Sequence, residues 1–510
     1  MKKWGYNFLY NLVPLRLLDW FHEKHYHYKT TTKFIQKVDP EFLERISERK
    51  ALKVYRYALR NIPAYKKFLQ EHNIGTISSI KDFNAKLPFL DKDNYVKHYS
   101  LLERVEKHHF PKEGMIIESS GSTSKIPTNW FRTLEEEREI AKDVELESHY
   151  LFGDTEYIVI SCWTLGAWTT SYSFCFYFEP LGLVKNIGPD VEQVVRTIQM
   201  MGTKPRYLIG GYPPFIKHLL DTGKLPWKKY KIDLVVGGEG FIPKWREYIK
   251  TKLRKGTRII SAYGASDLET GLAVETPLSQ EIRNFFVKEE KNVKKILQVE
   301  EVPMFFQYNP LRFYINNLPE TQEFHATVLT KGHVGVKVKY NIHDLGGKLS
   351  YNEMISLMKE KFKGFSRLYE TKYKTSSLKL PFLWVGGRSD DVISIDGVNI
   401  YPQQIEIALL ENKREYRLIQ SFQISKIFHH DGDNHFFIRI QLQEGVKPSK
   451  KLEKEIKETI KKNLAKVSKA YRLGLHDDHQ SFEPHLDLFA YRTGPFNIEK
   501  IKNKYIFKKN

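Results

Sequence analysis

The sequence predicts an α/β protein, with a large N-terminal domain built on parallel-rich sheets and a small α+β C-terminal domain. Three observations predict it. Short β-branched runs alternate with helical segments over the first half, the texture changes near Gly387, and 510 residues exceed what one hydrophobic core usually holds. The large domain is expected over residues 1–388 and the small one over 389–510.

The opening stretch, MKKWGYNFLYNLVPLRLLDWFHEKHYHY, is aromatic and basic, without an uninterrupted apolar run or a small-residue cleavage site. It reads as an unprocessed packing helix ahead of the first domain, with peripheral contact to an anionic membrane surface as the alternative. The chain has no apolar run of about 18 residues, so no transmembrane segment is expected. TEYIVISC, PRYLIGG and KIDLVVGGEG then read as strands. A helix over IPKWREYIKTKLRKG follows, with Pro243 in its first turn and Gly256 just past its end, and leads into the strand TRIISAYG. Strand, helix and strand within about thirty residues imply a right-handed crossover and a parallel sheet.

KVKYNIHDLGG puts Asp344 at the end of a strand, and the interval from Leu278 to Lys331 carries no clear pattern. Beyond Gly387, DVISIDGVNI reads as a hairpin turning at Asp396-Gly397, a helix opens at Pro402, and strands follow around RLIQSFQIS and HFFIRIQLQ. Leu452, Ile456, Ile460, Leu464 and Val467 recur at three-to-four-residue spacing, so Pro448 to Lys469 is an amphipathic helix with a solvated basic face.

A formal net charge of +20 calls for polyanionic partners: nucleotide phosphates, coenzyme A or an acidic carrier protein. A lysine-rich solvated surface is the bland alternative. Nucleic acid is not expected, because the lysines are scattered and no RNP-like, zinc-finger or basic-zipper pattern accompanies them. Two cysteines, Cys162 and Cys175, exclude a disulfide framework and suit a reducing compartment, the cytoplasm. Neither has an identifiable base that would make it a nucleophile.

Three segments carry chemistry. SSGSTSKIPT, from Ser119 to Thr128, sets a glycine among small hydroxyl residues between apolar and polar-aromatic flanks. Such a loop offers N–H groups and hydroxyls to phosphates, and Lys125 adds a point charge, although most Ser/Gly/Thr runs are only loops. SAYGASD, from Ser261 to Asp267, follows a strand and so lies where open α/β sheets bind ligands. There Tyr263 offers a flat face to a purine, Ser266 a hydroxyl to a phosphate or carboxylate, and Asp267 a hard oxygen ligand to Mg²⁺; a capped turn explains the segment equally well. Asp344 has the acceptors for both ribose hydroxyls, or is an ordinary turn aspartate. The clusters FHHDGDNH and HDDH read as a hairpin turn and a polar loop rather than metal sites. Trp163, Trp168, Tyr172 and Phe174 line an acyl pocket or belong to the core of a strand-rich segment.

The third segment, GGRSDDVISIDGVNIYPQQIE from Gly386 to Glu406, completes an order that resembles the adenylate-forming superfamily of acyl-CoA synthetases, most of all its phenylacetate-CoA ligase and capsular-polysaccharide-associated branch, over about Met115 to Lys500. The resemblance implies ATP-dependent activation of a small carboxylic acid as an acyl-adenylate and transfer to a thiol, coenzyme A or a carrier-protein phosphopantetheine, with Mg²⁺. It implies that Ser119, Ser120, Gly121, Ser122, Thr123 and Lys125 form the phosphate loop. Gly238 and Glu239 would border the adenine and acyl pocket, and Tyr263 and Gly264 would meet the adenine. Ser266 would contact the phosphate, Asp267 the Mg²⁺, Asp344 the ribose, and Arg388 the ribose or phosphate. Asp390 would be the hinge of a mobile C-terminal domain, and Lys500 the catalytic lysine.

The sequence departs from the family pattern at Ser124, where glycine is usual, at Asp267, where glutamate is usual and Glu269 is an alternative ligand, and at Glu499, where glycine precedes the lysine. Lys502 and Lys504 compete with Lys500. The alternatives are an adenylate-forming amide ligase, whose acceptor is an amine, and a catalytically silent protein that holds an acidic partner on its basic surface.

Overall fold

The computed structural model describes residues 14, 15, 17, 24, 26–118, 128–166, 169–268, 271–289, 291–299, 301–330, 334, 335, 337–388, 393–395, 398–428, 434–477, 482–497 and 505–507. After helices Tyr28–Lys37, Pro40–Asn61, Pro63–Glu71 and Ile80–Lys86, strands β1 (Met115–Glu118) and β2 (Asn129–Arg132) pair antiparallel, with Glu118 opposite Asn129. Their connection, 119–127, lies outside the described residues and contains all six expected phosphate-loop residues.

The apolar runs form β3 (Tyr157–Ser161), β5 (Arg206–Gly211), β6 (Lys231–Gly237) and β7 (Ile259–Tyr263) of a parallel unit that also includes β4 (Gly182–Asn186), a strand not read from the sequence. Val159, Leu208, Leu234 and Ile259 are buried, as strands covered on both faces require. Helices Thr169–Phe178, Val191–Met201, Pro213–Thr222 and Pro243–Lys252 make the crossovers. The aromatic segment read as strand-rich is thus a helix, because joining parallel β3 and β4 requires a crossover. The last helix stops at Lys252, short of Gly256, and a turn from Arg254 to Thr257 leads into β7.

The sheet continues with β8 (Ala273–Val274), β9 (Met304–Gln307), β10 (Phe313–Leu318), β11 (Glu323–Val328), β12 (Tyr340–Leu349) and β13 (Phe382–Arg388). All eleven strands join in the order β10-β11-β12-β13-β9-β8-β7-β6-β5-β3-β4, and the pairs from β7 outward to β10 are antiparallel. The segment without a clear sequence pattern therefore supplies β9, β10, β11 and the helices Pro277–Lys288 and Lys291–Leu297. Asp344 lies in the middle of β12, not at a strand end. HDLGG has turn composition, but β11 and β13 bond to the chain on both sides and a bulge between Leu345 and Gly346 absorbs the irregularity.

The remaining strands are β14 (Ile393–Ile395) and β15 (Val398–Ile400), which form the expected hairpin, and β16 (Ile419–Phe428), β17 (Asn434–Leu442) and β18 (His485–Phe489). β16 and β17 pair antiparallel on either side of 429–433, as the hairpin reading required, and β18 joins β17 in parallel. Helices Pro402–Leu410 and Lys450–Val467 cover this sheet, with Ile456, Ile460 and Leu464 of the amphipathic stripe buried. At the other edge, Ile424 N donates to Tyr505 O at 2.5 Å and Phe507 N donates to Ile424 O at 3.0 Å, which docks 505–507 on β16.

This α+β unit packs on the crossover helices of the parallel unit. Lys217 is buried and donates to the carbonyls of Tyr416 at 3.0 Å and Ile419 at 2.8 Å, while Asp221 lies 3.1 Å from its ammonium. Next to it, His218 Nδ1 is 2.6 Å from Gln443 Oε1. Among the described residues, no helix is long and apolar enough to cross a membrane.

Candidate active site at the carboxyl ends of the parallel strands

Strand geometry delivers the first part of the site. β6 ends at Gly237, and Gly238 just beyond it has φ +77°, a left-handed conformation in which a side chain is strained. β7 ends at Tyr263, and its antiparallel pairing with β8 places Tyr263 opposite Ala273, so Gly264, Ala265, Ser266 and Asp267 fall in the intervening loop. Tyr263 donates its hydroxyl to Asp344 Oδ2 at 2.6 Å. Asp344 is paired in register with Arg388 on β13. Three residues expected at a nucleotide, 263, 344 and 388, are thus brought together by sheet pairing; of Arg388 only the backbone is described.

Asp267 is buried, and both its oxygens are engaged. Oδ1 accepts from Thr128 Oγ1 and from Trp130 Nε1 at 3.0 Å, while Oδ2 lies 3.0 Å from Lys92 Nζ. Arg104 and Lys337 both lie over the same indole, at 4.8 and 4.7 Å from the ring centroid of Trp130. Asp267 therefore sits in a cationic and aromatic nest, to which Thr128 and Trp130, just C-terminal in sequence to 119–127, both contribute.

Glu239, one residue beyond Gly238, accepts from Tyr505 Oη at 3.2 Å. The C-terminal strand thereby touches the residue expected to border the pocket. Lys500, Asp390, Glu269 and the clusters' central residues His429 to Asp433 and His479 lie outside the described residues.

Beneath Gly238 and Gly264 a cavity of about 120 Å³ runs down the sheet face. Trp163, Phe174, Tyr212, Val235, Ile260 and Ser266 line it, and helix Leu134–Phe152 closes it through Val144, Glu147 and Leu151. Gly210 makes room for the aromatic wall: a Cβ there would sit 2.3 Å from Phe174 Cζ. Of the aromatics expected either in a pocket or in the core, Trp163 and Phe174 line the cavity, Tyr172 is exposed, and Trp168 lies outside the described residues. Cys162 is fully buried and burial pushes its thiol up, so it is poorly suited to act as a nucleophile.

Sequence reasoning missed Glu147, Lys92 and Tyr505. Glu147 left a signal. Helix Leu134–Phe152 starts at a Thr133 capping box with Glu136, and Glu147, itself half-buried, falls in register with the buried Ile140, Val144, Ser148 and Leu151, so an acid interrupts a mainly apolar face. Lys92 and Tyr505 left none, since only the folded chain brings them to Asp267 and Glu239.

Neither a protein-family model nor a curated relative matches the sequence. Solved structures do match the fold. 2-Hydroxyisobutyryl-CoA ligase in the postadenylation state with R3-HIB-AMP superposes with a TM-score of 0.64 at 14% identity, covering 93% of this chain and 91% of that one. The same ligase in the thioesterification state, with 2-HIB-AMP and CoA, gives 0.52 at 15% identity over 92% and 90%. An acyl acid amido synthetase, AtGH3.15, in complex with 2,4-DB, gives 0.51 at 13% identity over 90% and 87%. The chain has the α/β fold, with its C-terminal domain, of the adenylate-forming ligases.

Proposed function

We propose that this protein is an AMP-forming acid–thiol ligase, which activates a small carboxylic acid with ATP and passes the acyl group to coenzyme A or to a carrier-protein phosphopantetheine. The observation that carries the proposal is the junction of Tyr263, Asp344 and the Arg388 backbone at the carboxyl end of the parallel strands, above an apolar cavity. Asp344 holds its carboxylate in place through Tyr263 and presents acceptors for the two ribose hydroxyls, while the Tyr263 ring faces the adenine.

A carboxylate is already a nucleophile at neutral pH, so the first step needs alignment and charge neutralisation rather than a general base. Its oxygen attacks the α-phosphorus, the bond to the bridging oxygen breaks, and pyrophosphate leaves. Ser266 and the 119–127 loop, with Lys125, would hold the phosphates. The Asp267 carboxylate fits Mg²⁺: Oδ1 is fixed by Thr128 and Trp130, and Oδ2 already faces a cation, the Lys92 ammonium. Mg²⁺ bound there would neutralise phosphate charge. The thiol sulfur then attacks the acyl carbonyl and AMP leaves.

We assign residues 1–388 to the ATP- and acyl-binding domain and 389–510 to a domain that moves about Asp390, with Lys500 serving the adenylation step. The better superposition on the postadenylation than on the thioesterification arrangement supports reading the Lys217–Tyr416 and Tyr505–Glu239 contacts as features of the first half-reaction. The free thiols Cys162 and Cys175 suit a cytoplasmic enzyme. The likeness to an acyl acid amido synthetase favours a second reading, in which an amine is the acceptor.

Carboxylate-dependent exchange of labelled pyrophosphate into ATP, with Asp344→Ala as the control, tests adenylation. Exchange that the variant loses supports it, and ATP binding that is absent altogether rejects it. Acyl transfer to coenzyme A selects the thiol reading; hydroxylamine trapping without thiol dependence selects the amine.

A further inference from the structure

Glu147 is half-buried and lines the cavity beside Val144, Leu151, Phe152 and Ile260, and its carboxyl has no hydrogen bond or ion pair among the described residues. Arg312, the cation whose charge acts on it, is already committed. Arg312 Nε lies 3.3 Å from Asp143 Oδ2, and Asn309 Nδ2 donates to Asp143 Oδ1 at 3.0 Å, one helical turn before Glu147. Asp143 thus takes the local positive charge and leaves Glu147 facing a like charge at i−4. Burial first, and then Asp143, push the Glu147 carboxyl up to about 8, with Arg312 opposing.

A second group in the same cavity is also unsatisfied. Trp163 lines the cavity, and its buried Nε1 has no partner among the described residues. Unpaired polar groups in a cavity whose wall is mainly apolar are costly in the empty protein, and a ligand that pairs with them removes that cost.

We infer that Glu147 selects the substrate: an acid with an apolar body that carries a hydroxyl group, which donates its hydrogen to the Glu147 carboxyl and keeps a lone pair for a donor such as Trp163 Nε1–H. This rests on reading the cavity as the acyl site of an adenylating enzyme. An unsubstituted acid satisfies neither group. An ammonium-bearing acid satisfies Glu147 alone, since it has no acceptor to offer the indole.

The test is pyrophosphate exchange by the full chain, wild type, Glu147→Leu and Glu147→Gln, with phenylacetic and hexanoic acids and their hydroxylated and amino-substituted counterparts. The wild type should use a hydroxylated acid at least about tenfold better than its unsubstituted counterpart in kcat/KM. Glu147→Leu should lose the preference, its kcat/KM falling far more on the hydroxylated acid than on the unsubstituted one, and Glu147→Gln should retain part of it. Equal use of hydroxylated and unsubstituted acids by the wild type, a preference for the amino acids of the panel, or an equal loss on all acids in Glu147→Leu would each overturn the assignment. If no acid supports exchange, calorimetric titration separates the two claims. Absent ATP binding rejects the adenylation reading. Saturable binding of a hydroxylated acid to the wild type and not to Glu147→Leu still upholds the role of Glu147, and binding without that difference overturns it.

Discussion

The hydroxyl of Tyr263 donates to Asp344 Oδ2 at 2.6 Å although 81 residues separate the two in the chain. A tyrosine at a strand end would be free to rotate, and an aspartate in mid-strand would be free to choose its rotamer. Joined, each orients the other. Tyr263→Phe should therefore weaken ATP binding by about tenfold while leaving thermal stability nearly unchanged, as the loss of a half-buried, charge-assisted hydrogen bond implies. Asp344→Ala should weaken it by a further tenfold or so, because the ribose acceptors go as well. Titration calorimetry with ATP distinguishes the two losses, and equal affinity in wild type and Tyr263→Phe would contradict the coupling.

The ion pair between Lys92 and Asp267 predicts a metal dependence of opposite sign for its two members. Lys92→Met removes the cation that competes for Oδ2, so half-maximal pyrophosphate exchange should occur at lower Mg²⁺. Asp267→Asn should raise the Mg²⁺ requirement by about tenfold through loss of a charged oxygen ligand. An unchanged Mg²⁺ requirement together with a lowered melting temperature in Asp267→Asn would make Asp267 an anchor for Thr128 and Trp130 and nothing more.

Tyr505 predicts a split between half-reactions. Its hydroxyl reaches Glu239 only while 505–507 and β16 lie against the large domain. Tyr505→Phe should slow adenylation by a few-fold, in line with about 1 kcal/mol for one part-buried hydrogen bond, and leave thioester formation from supplied acyl-adenylate unchanged or faster. Single-turnover measurement of each step checks it; equal slowing of both would indicate that the contact merely stabilises the fold.

His343 supplies a pH dependence of stability. Its ring lies between Asp91 and Glu323, at 3.2 Å from each, and these carboxylates hold its pKa above the ordinary 6.5 against the opposing effect of partial burial. A raised folded-state value means that the stabilisation is complete below 6.5 and is lost as pH rises through the folded value. The ring is 41% exposed on its side chain, so solvent screening keeps the effect small. The urea midpoint should fall between about pH 6 and pH 9, and His343→Gln should flatten that slope. A wild-type slope preserved in the variant would assign the dependence to other groups.

Local pattern alone determined the α/β class, the parallel strands β3, β5, β6 and β7, the hairpin before Tyr401 and the helix over Lys450–Val467, because hydrophobic periodicity and turn chemistry act over a few residues. The same local signals pointed to Tyr263, Ser266 and Asp267, which share one strand end. Tertiary structure decided what no local signal carries. It merged the strands into one sheet with an antiparallel half, and it kept HDLGG extended because two neighbouring strands supply its hydrogen bonds. It also brought Asp344 to Tyr263, Lys92 to Asp267 and Tyr505 to Glu239, and placed Glu147 in the wall of a cavity. Each of these depends on partners distant in the chain, and their pairing energy exists only once the sheet has closed the distance between them.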